Sequence, residues 1–114
     1  MLIESLIEYF NNSDLDAPVY TEVPKRDIPQ EYYVLELIGD PAKDHISTAT
    51  IAIRSYAQSM KRAADLAYEI DMILRYGAIT MDIISGIVRN TIGNNTDQTT
   101  KEYRYQGVYV ITHY

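Results

Sequence analysis

The segment 49–66, ATIAIRSYAQSMKRAADL, changes from the period of a strand to that of a helix, with no glycine or proline between the two parts. Before the change, side chains alternate between two faces, as they do in a strand with one buried side. One face holds Ala49, Ile51, Ile53 and Ser55, and the other holds Thr48, Thr50, Arg54 and Tyr56. Ser59 lies at the boundary, where its hydroxyl can accept a hydrogen bond from the first turn of a helix. The sequence therefore predicts a strand followed directly by a capped helix.

The predicted helix carries an apolar stripe, which we expect to pack back on the sheet. The stripe consists of Met60, Ala63, Ala64, Ala67, Ile70, Ile73 and Leu74. Its alanines allow a close approach between helix and sheet. Gly77 follows the last apolar position, where a glycine in the left-handed conformation commonly ends a helix.

The remaining patterns complete one domain over residues 1–114. Residues 2–10 have the spacing of a short amphipathic helix, and 18–24 is a short edge strand between prolines. Residues 32–57 form a hairpin with its loop at 40–45, and strands at about 83–92 and from 101 onward flank the polar, flexible loop NNTDQTT. The predicted fold is α+β, in the order α-β-β-β-α-β-β. Its mainly antiparallel sheet has about five strands, with two helices packed on it.

Composition removes several classes of function. The chain has no cysteine, which excludes a disulfide framework, a thiolate zinc site and a catalytic thiol. Its net charge is −6 and its basic residues are scattered, so a phosphate-binding surface is not expected. His45 lies in a turn and His113 is the penultimate residue, and neither position favours a rigid catalytic group. We predict no enzyme activity, no cofactor, no metal site and no membrane span, and expect a soluble intracellular product or one released by lysis.

Tyrosine is the unusual feature of the composition, with eleven tyrosines against one phenylalanine and no tryptophan. Tyrosines at strand positions often bury the ring and leave the hydroxyl at the rim. They are also enriched in protein interfaces. The sequence leaves both interpretations open.

The order of elements and the character of several segments resemble the tail terminator proteins of long-tailed bacteriophages and prophages. These are also called tail completion or tail-to-head joining proteins. The resemblance covers nearly the whole chain, and its segments in order are LIESLIEYF, VYTEVP, IPQEYYVLEL, SYAQSMKRAADLAYEI and YRYQGVYVIT.

This resemblance implies a structural subunit of the virion, located at the head-proximal end of the tail and in the host cytoplasm during assembly. Proteins of the family form a ring, usually a hexamer, that stops polymerisation of the tail tube and provides the docking surface for the head connector. The implied partners are further copies of the chain, the tail tube protein and the head connector or completion protein. DNA would pass through the ring without specific binding.

A closed ring requires two different patches on each subunit that meet head to tail. We predict that the patches contain Thr48, Thr50, Arg54 and Tyr56 on one strand and Tyr103, Tyr105 and Tyr109 on another. Two loops are expected to reach the tube, the connector or the lumen, through Asp40, Lys43, Asp44, His45, Asn94, Asn95 and Asp97. The alternatives are a head-side completion or neck protein, a tyrosine-rich module that binds another protein, and an enzyme with a histidine base.

Overall fold

A computed structural model of the chain describes residues 2–39, 42–43, 46–97, 99 and 102–114. Its helices are α1 (Leu2–Asn11) and α2 (Met60–Tyr76), and a short 3₁₀ helix (Ala78–Thr80) follows α2. Its strands are β1 (Val19–Tyr20), β2 (Tyr32–Gly39), β3 (Ala42–Lys43), β4 (Ile46–Ala57), β5 (Ile84–Asn94) and β6 (Tyr103–His113). The predicted α+β fold and its order of elements are confirmed.

The strands form one sheet in the order β1-β2-β4-β6-β5, and the short β3 pairs with β4 beside this path. All pairings are antiparallel except that of β1 with β2. Strands β4 and β5 both run antiparallel to β6, so they share a direction, and α2 connects them across the sheet. The predicted hairpins, β2 with β4 and β5 with β6, are both present.

The junction between β4 and α2 follows the predicted chemistry. Ser59 has an extended backbone, and its hydroxyl accepts a hydrogen bond from the Arg62 N–H at 3.2 Å. At the other end α2 stops before Gly77, as predicted, but the predicted left-handed conformation is wrong, because the φ of Gly77 is −107° and the chain continues into the 3₁₀ helix. A Cβ at this position would lie 2.7 Å from the Ile73 carbonyl oxygen, so the backbone of the last turn of α2 itself favours glycine here.

Both helices cover the same face of the sheet. Apolar side chains of α1 and α2 pack there against apolar side chains of β2, β4 and β6. The largest fully buried side chains of this core, from helices and strands together, are Leu6, Phe10, Tyr33, Leu35, Ile51, Ile53, Leu66, Ile70, Leu74, Tyr109 and Ile111. The predicted stripe of α2 needs correction, because Leu66 and Asp71 are buried while Met60, Ala64 and Ile73 are only half-buried.

Candidate interaction surface

The second face of the sheet is not covered by any helix in the described part of the chain. The alternate residues of β4, β5 and β6 lie on this face, because their neighbours in sequence point into the core beneath the helices. We call it the bare face and define it by Thr48, Thr50, Ala52, Arg54, Tyr56, Gly86, Val88, Thr91, Gly93, Arg104, Gln106, Val108, Val110 and Thr112.

Small and β-branched side chains occupy the centre of the bare face. Val88 pairs with Val110, which in turn pairs with Thr50, and Val108 lies opposite Ala52 in the next row. The Val88 side chain is 61% exposed. An antiparallel sheet with one solvated face normally presents polar residues to water. The valines here make the centre apolar and flat instead.

Charged residues of the bare face lie toward one end, and each has an acidic neighbour. Arg54 donates to the Glu36 carboxylate at 3.0 Å, and Arg104 lies 3.4 Å from the Glu102 carboxylate. Arg104 also donates through Nε to the Asn95 carbonyl oxygen at 2.7 Å. These contacts leave little free positive charge on the face for phosphate groups.

A tyrosine cluster fills the same end of the bare face. The rings of Tyr32 and Tyr56 stack with centroids 4.5 Å apart, and Tyr20 meets Tyr32 edge-on. Burial raises the pKa of Tyr32 to about 12, and the negative charge of Glu102 adds to this. The prediction that Tyr56 contributes an exposed contact is therefore wrong, since its side chain is buried within this cluster.

The other three predicted tyrosines lie on the opposite, helix-covered face. Tyr103, Tyr105 and Tyr109 pair with the core-facing residues of β4, which fixes their side of the sheet. Tyr109 is only 1% exposed, so its predicted place in an interface is wrong. Tyr105 is half-buried against the core, and Tyr103 is exposed near the start of β6. Of the predicted interface residues, Thr48, Thr50 and Arg54 remain together on the bare face.

Beneath the helices, Tyr109 belongs to a buried ionic cluster that the sequence analysis did not identify. Its hydroxyl donates to Oδ1 of Asp71 at 2.8 Å, and the same carboxylate accepts hydrogen bonds from Arg75 and Arg89. Burial by itself would raise the pKa of Asp71, but the hydrogen bonds from Arg75 and Tyr109 and the two guanidinium charges outweigh burial and lower that pKa. The one available signal was the four-residue spacing of Asp71 and Arg75 on a helix.

The predicted contact loops are only partly described. Asp40, Asp44 and His45 lie outside the described residues, and the backbone of Lys43 pairs with Ile46 in the β3–β4 hairpin.

In the second loop, residues 94–97 fold back on the start of β6. Asn94 accepts a hydrogen bond from the Thr96 N–H at 2.8 Å, and the Asn95 N–H donates to the Arg104 carbonyl oxygen at 2.8 Å. The Asp97 side chain accepts from the Thr99 N–H at 2.9 Å.

The described residues contain no group of three or more histidine and acidic side chains placed to hold a metal ion. Within the same residues, neither helix has the length and hydropathy needed to cross a bilayer. No protein-family model matches the chain, and no curated protein matches it either.

Proposed function

We propose that this protein is a structural subunit of a phage tail, which forms a ring at the head-proximal end of the tail tube. The ring would stop polymerisation of the tube and provide the surface on which the head connector docks. The observation that carries the proposal is the bare face, a sheet surface with valines at its centre that no helix of the described residues covers. The resemblance in element order to tail terminator proteins supplies the location in the tail.

The size of the bare face supports a protein partner. Three strands at about 4.8 Å spacing, each averaging about 37 Å in length, give a surface of roughly 530 Å². One side of a standard stable interface buries about 800 Å², so the face could supply about two thirds of one side.

The charges of the bare face support a protein partner over a nucleic acid. Binding to a phosphate backbone depends on several free cations that release counterions. Arg54 and Arg104 each have an acidic partner, and the whole chain carries a net charge of −6. DNA passing through a ring of such subunits would meet little attraction.

The proposal is tested by mixing the purified protein with growing tail tubes and, separately, with heads that bear connectors. We expect closed rings with a central channel by electron microscopy, binding at one end of each tube, and an arrest of tube growth at stoichiometric amounts. Coating of connector-bearing heads with no binding to tubes would assign the protein to the head side and refute the proposal. A protein that neither forms rings nor binds tubes would refute it as well.

A matched pair of variants connects this assay with the bare face. Val88→Asp introduces a charge at the centre of the face, and we expect it to prevent arrest of tube growth. Ile28→Asp changes an equally exposed side chain, at 55%, in the segment between β1 and β2 and should leave arrest intact. Normal arrest by Val88→Asp would show that the bare face is not the assembly surface.

A further inference from the structure

A second apolar surface lies along the solvent-exposed side of α2, where the Tyr68 ring also meets the Tyr105 ring of β6 with 6.5 Å between centroids. Tyr68, Met72 and Tyr76 follow one another at four-residue intervals and are 49%, 56% and 64% exposed. This spacing places the three side chains in a row on one side of the helix. We call this row the outer stripe. Removing an exposed row of two aromatic residues and a methionine from water would be favourable in free energy.

The outer stripe and the bare face lie on opposite sides of the molecule, because α2 lies between the stripe and the sheet and the bare face is the far side of that sheet. Every subunit therefore presents one apolar surface in front and another behind. We propose that the outer stripe of one copy packs on the bare face of the next copy, so that the ring closes through a contact between a helix and a sheet. Ring closure rests on the proposed function, whereas the pairwise contact can be tested without it.

The shapes of the two surfaces are complementary. The outer stripe is a narrow ridge of large side chains, and its eight-residue span covers about 12 Å along the helix axis. The centre of the bare face is a flat area of Val108, Val110 and smaller residues, and its three strands are about 14 Å wide. The Arg75 guanidinium lies 5.3 Å from the centre of the Tyr76 ring, so one end of the ridge carries a charge and the rest of it is apolar.

A contact between different surfaces also fits a ring better than one between identical surfaces. If two bare faces packed together around a two-fold axis, the pair would be closed and both outer stripes would stay in water. A head-to-tail contact covers a stripe and a face at every junction. When it closes by rotation, no subunit is left with either surface exposed.

Charged residues near the two surfaces are already paired within each copy. Asp65, one turn before Tyr68, lies 3.0 Å from the Lys61 ammonium group. Arg54 and Arg104 of the bare face have acidic neighbours of their own, described above. A contact between the two surfaces therefore does not need to bury an unpaired charge.

Because the natural chain has no cysteine, single introduced cysteines report the contact cleanly. Met72→Cys and Val110→Cys are made in separate full-length proteins, and each protein is oxidised mildly alone and in an equal mixture. We expect a disulfide-linked dimer only in the mixture. Ile28→Cys replaces Met72→Cys in the control mixture and should give none.

The other outcomes of this experiment overturn the proposal. A dimer of Val110→Cys with itself would mean that two bare faces meet, and a dimer of Met72→Cys with itself would mean that two stripes meet. Absence of the mixed dimer, both in solution and on tail tubes, would show that the surfaces do not pack together. If tubes are capped without the mixed dimer, the contact is wrong and the function stands. If the mixed dimer forms but tubes are not capped, the contact stands and the function is wrong.

A non-covalent measurement checks the same contact without oxidation. Met72→Asp should raise the concentration needed for half-maximal assembly by at least about tenfold, because a charge would be placed in an apolar interface. Ile28→Asp, with nearly the same exposure at the altered position, should leave that concentration within about twofold. Circular dichroism and urea unfolding establish that both variants fold. Equal assembly by a folded Met72→Asp variant would rule the contact out.

Discussion

Replacement of Tyr109 by phenylalanine removes one oxygen atom from the ionic cluster beneath α2. The Tyr109 hydroxyl donates to the Asp71 carboxylate at 2.8 Å. Tyr33 provides a matched control, because its buried hydroxyl donates to the Leu66 carbonyl oxygen at 2.9 Å. The two substitutions delete the same atom at buried sites. They differ mainly in whether the acceptor is charged.

The expected costs follow from that difference. A hydrogen bond to a neutral acceptor contributes about 0.5–1.5 kcal/mol to stability, and one to a charged acceptor contributes about 1.5–3 kcal/mol. Asp71 keeps its hydrogen bonds to Arg75 and Arg89 after the substitution, which favours the lower part of the second range. We expect Tyr109→Phe to lower the free energy of unfolding by about 2 kcal/mol and Tyr33→Phe by about 1 kcal/mol.

Urea unfolding at pH 7 measures both values, and equal slopes against urea concentration would show that the variants unfold from comparable states. The comparison is then repeated in an Asp71→Asn background, where the acceptor is no longer charged and the difference between the two variants should nearly vanish. A Tyr33→Phe cost as large as that of Tyr109→Phe would refute the reasoning. So would a difference that persists without the carboxylate.

Three further predictions use the same unfolding assay. Gly107→Ala should lower the free energy of unfolding by about 1–3 kcal/mol, because a Cβ there would lie 2.8 Å from the buried ring of Tyr109. Gly93→Ala is the control, because the space around Gly93 is open, and it should change the free energy of unfolding by less than about 0.5 kcal/mol. Equal effects of the two variants would contradict this. Ser59→Ala should cost about 1 kcal/mol through loss of the helix cap, and a neutral result would count against the cap. The pKa of Asp71 is lowered in the folded protein, so the ionised carboxylate contributes fully to folding stability at neutral pH, and this contribution is lost as the pH falls below the ordinary value of 3.8. The stability difference between wild type and Asp71→Asn should therefore shrink in acid. A difference that does not change with pH would exclude this linkage.

The parts of the fold that depend on nearby residues could be predicted from the sequence. The two-residue alternation in β4 and the change of period at Ser59 determine a strand, a cap and a helix locally. The end of α2 at Gly77 could also be predicted from the sequence. The backbone conformation of Gly77 could not, because it depends on the 3₁₀ helix into which the chain continues.

The candidate surface was predicted only in part, because it depends on how strands pair. Thr48, Thr50 and Arg54 share a face by simple alternation, and that part holds. The position of Tyr109 depends on the pairing of β6 with β4, which places it opposite the core residue Ile51. The burial of Asp71 depends in turn on Tyr109. A polar residue in an apolar helical stripe gives no sign of its partners until the sheet beneath it is known.

Strand β5 has consequences for solubility. It forms a long edge of the sheet, yet its pairing with β6 slips between Ile84 and Gly86 and again between Arg89 and Thr91. Arg89 also turns inward to the buried Asp71 carboxylate. Irregular edges with inward charges are poor templates for another strand. Copies of the chain at high concentration are thereby protected from joining edge to edge into extended sheets.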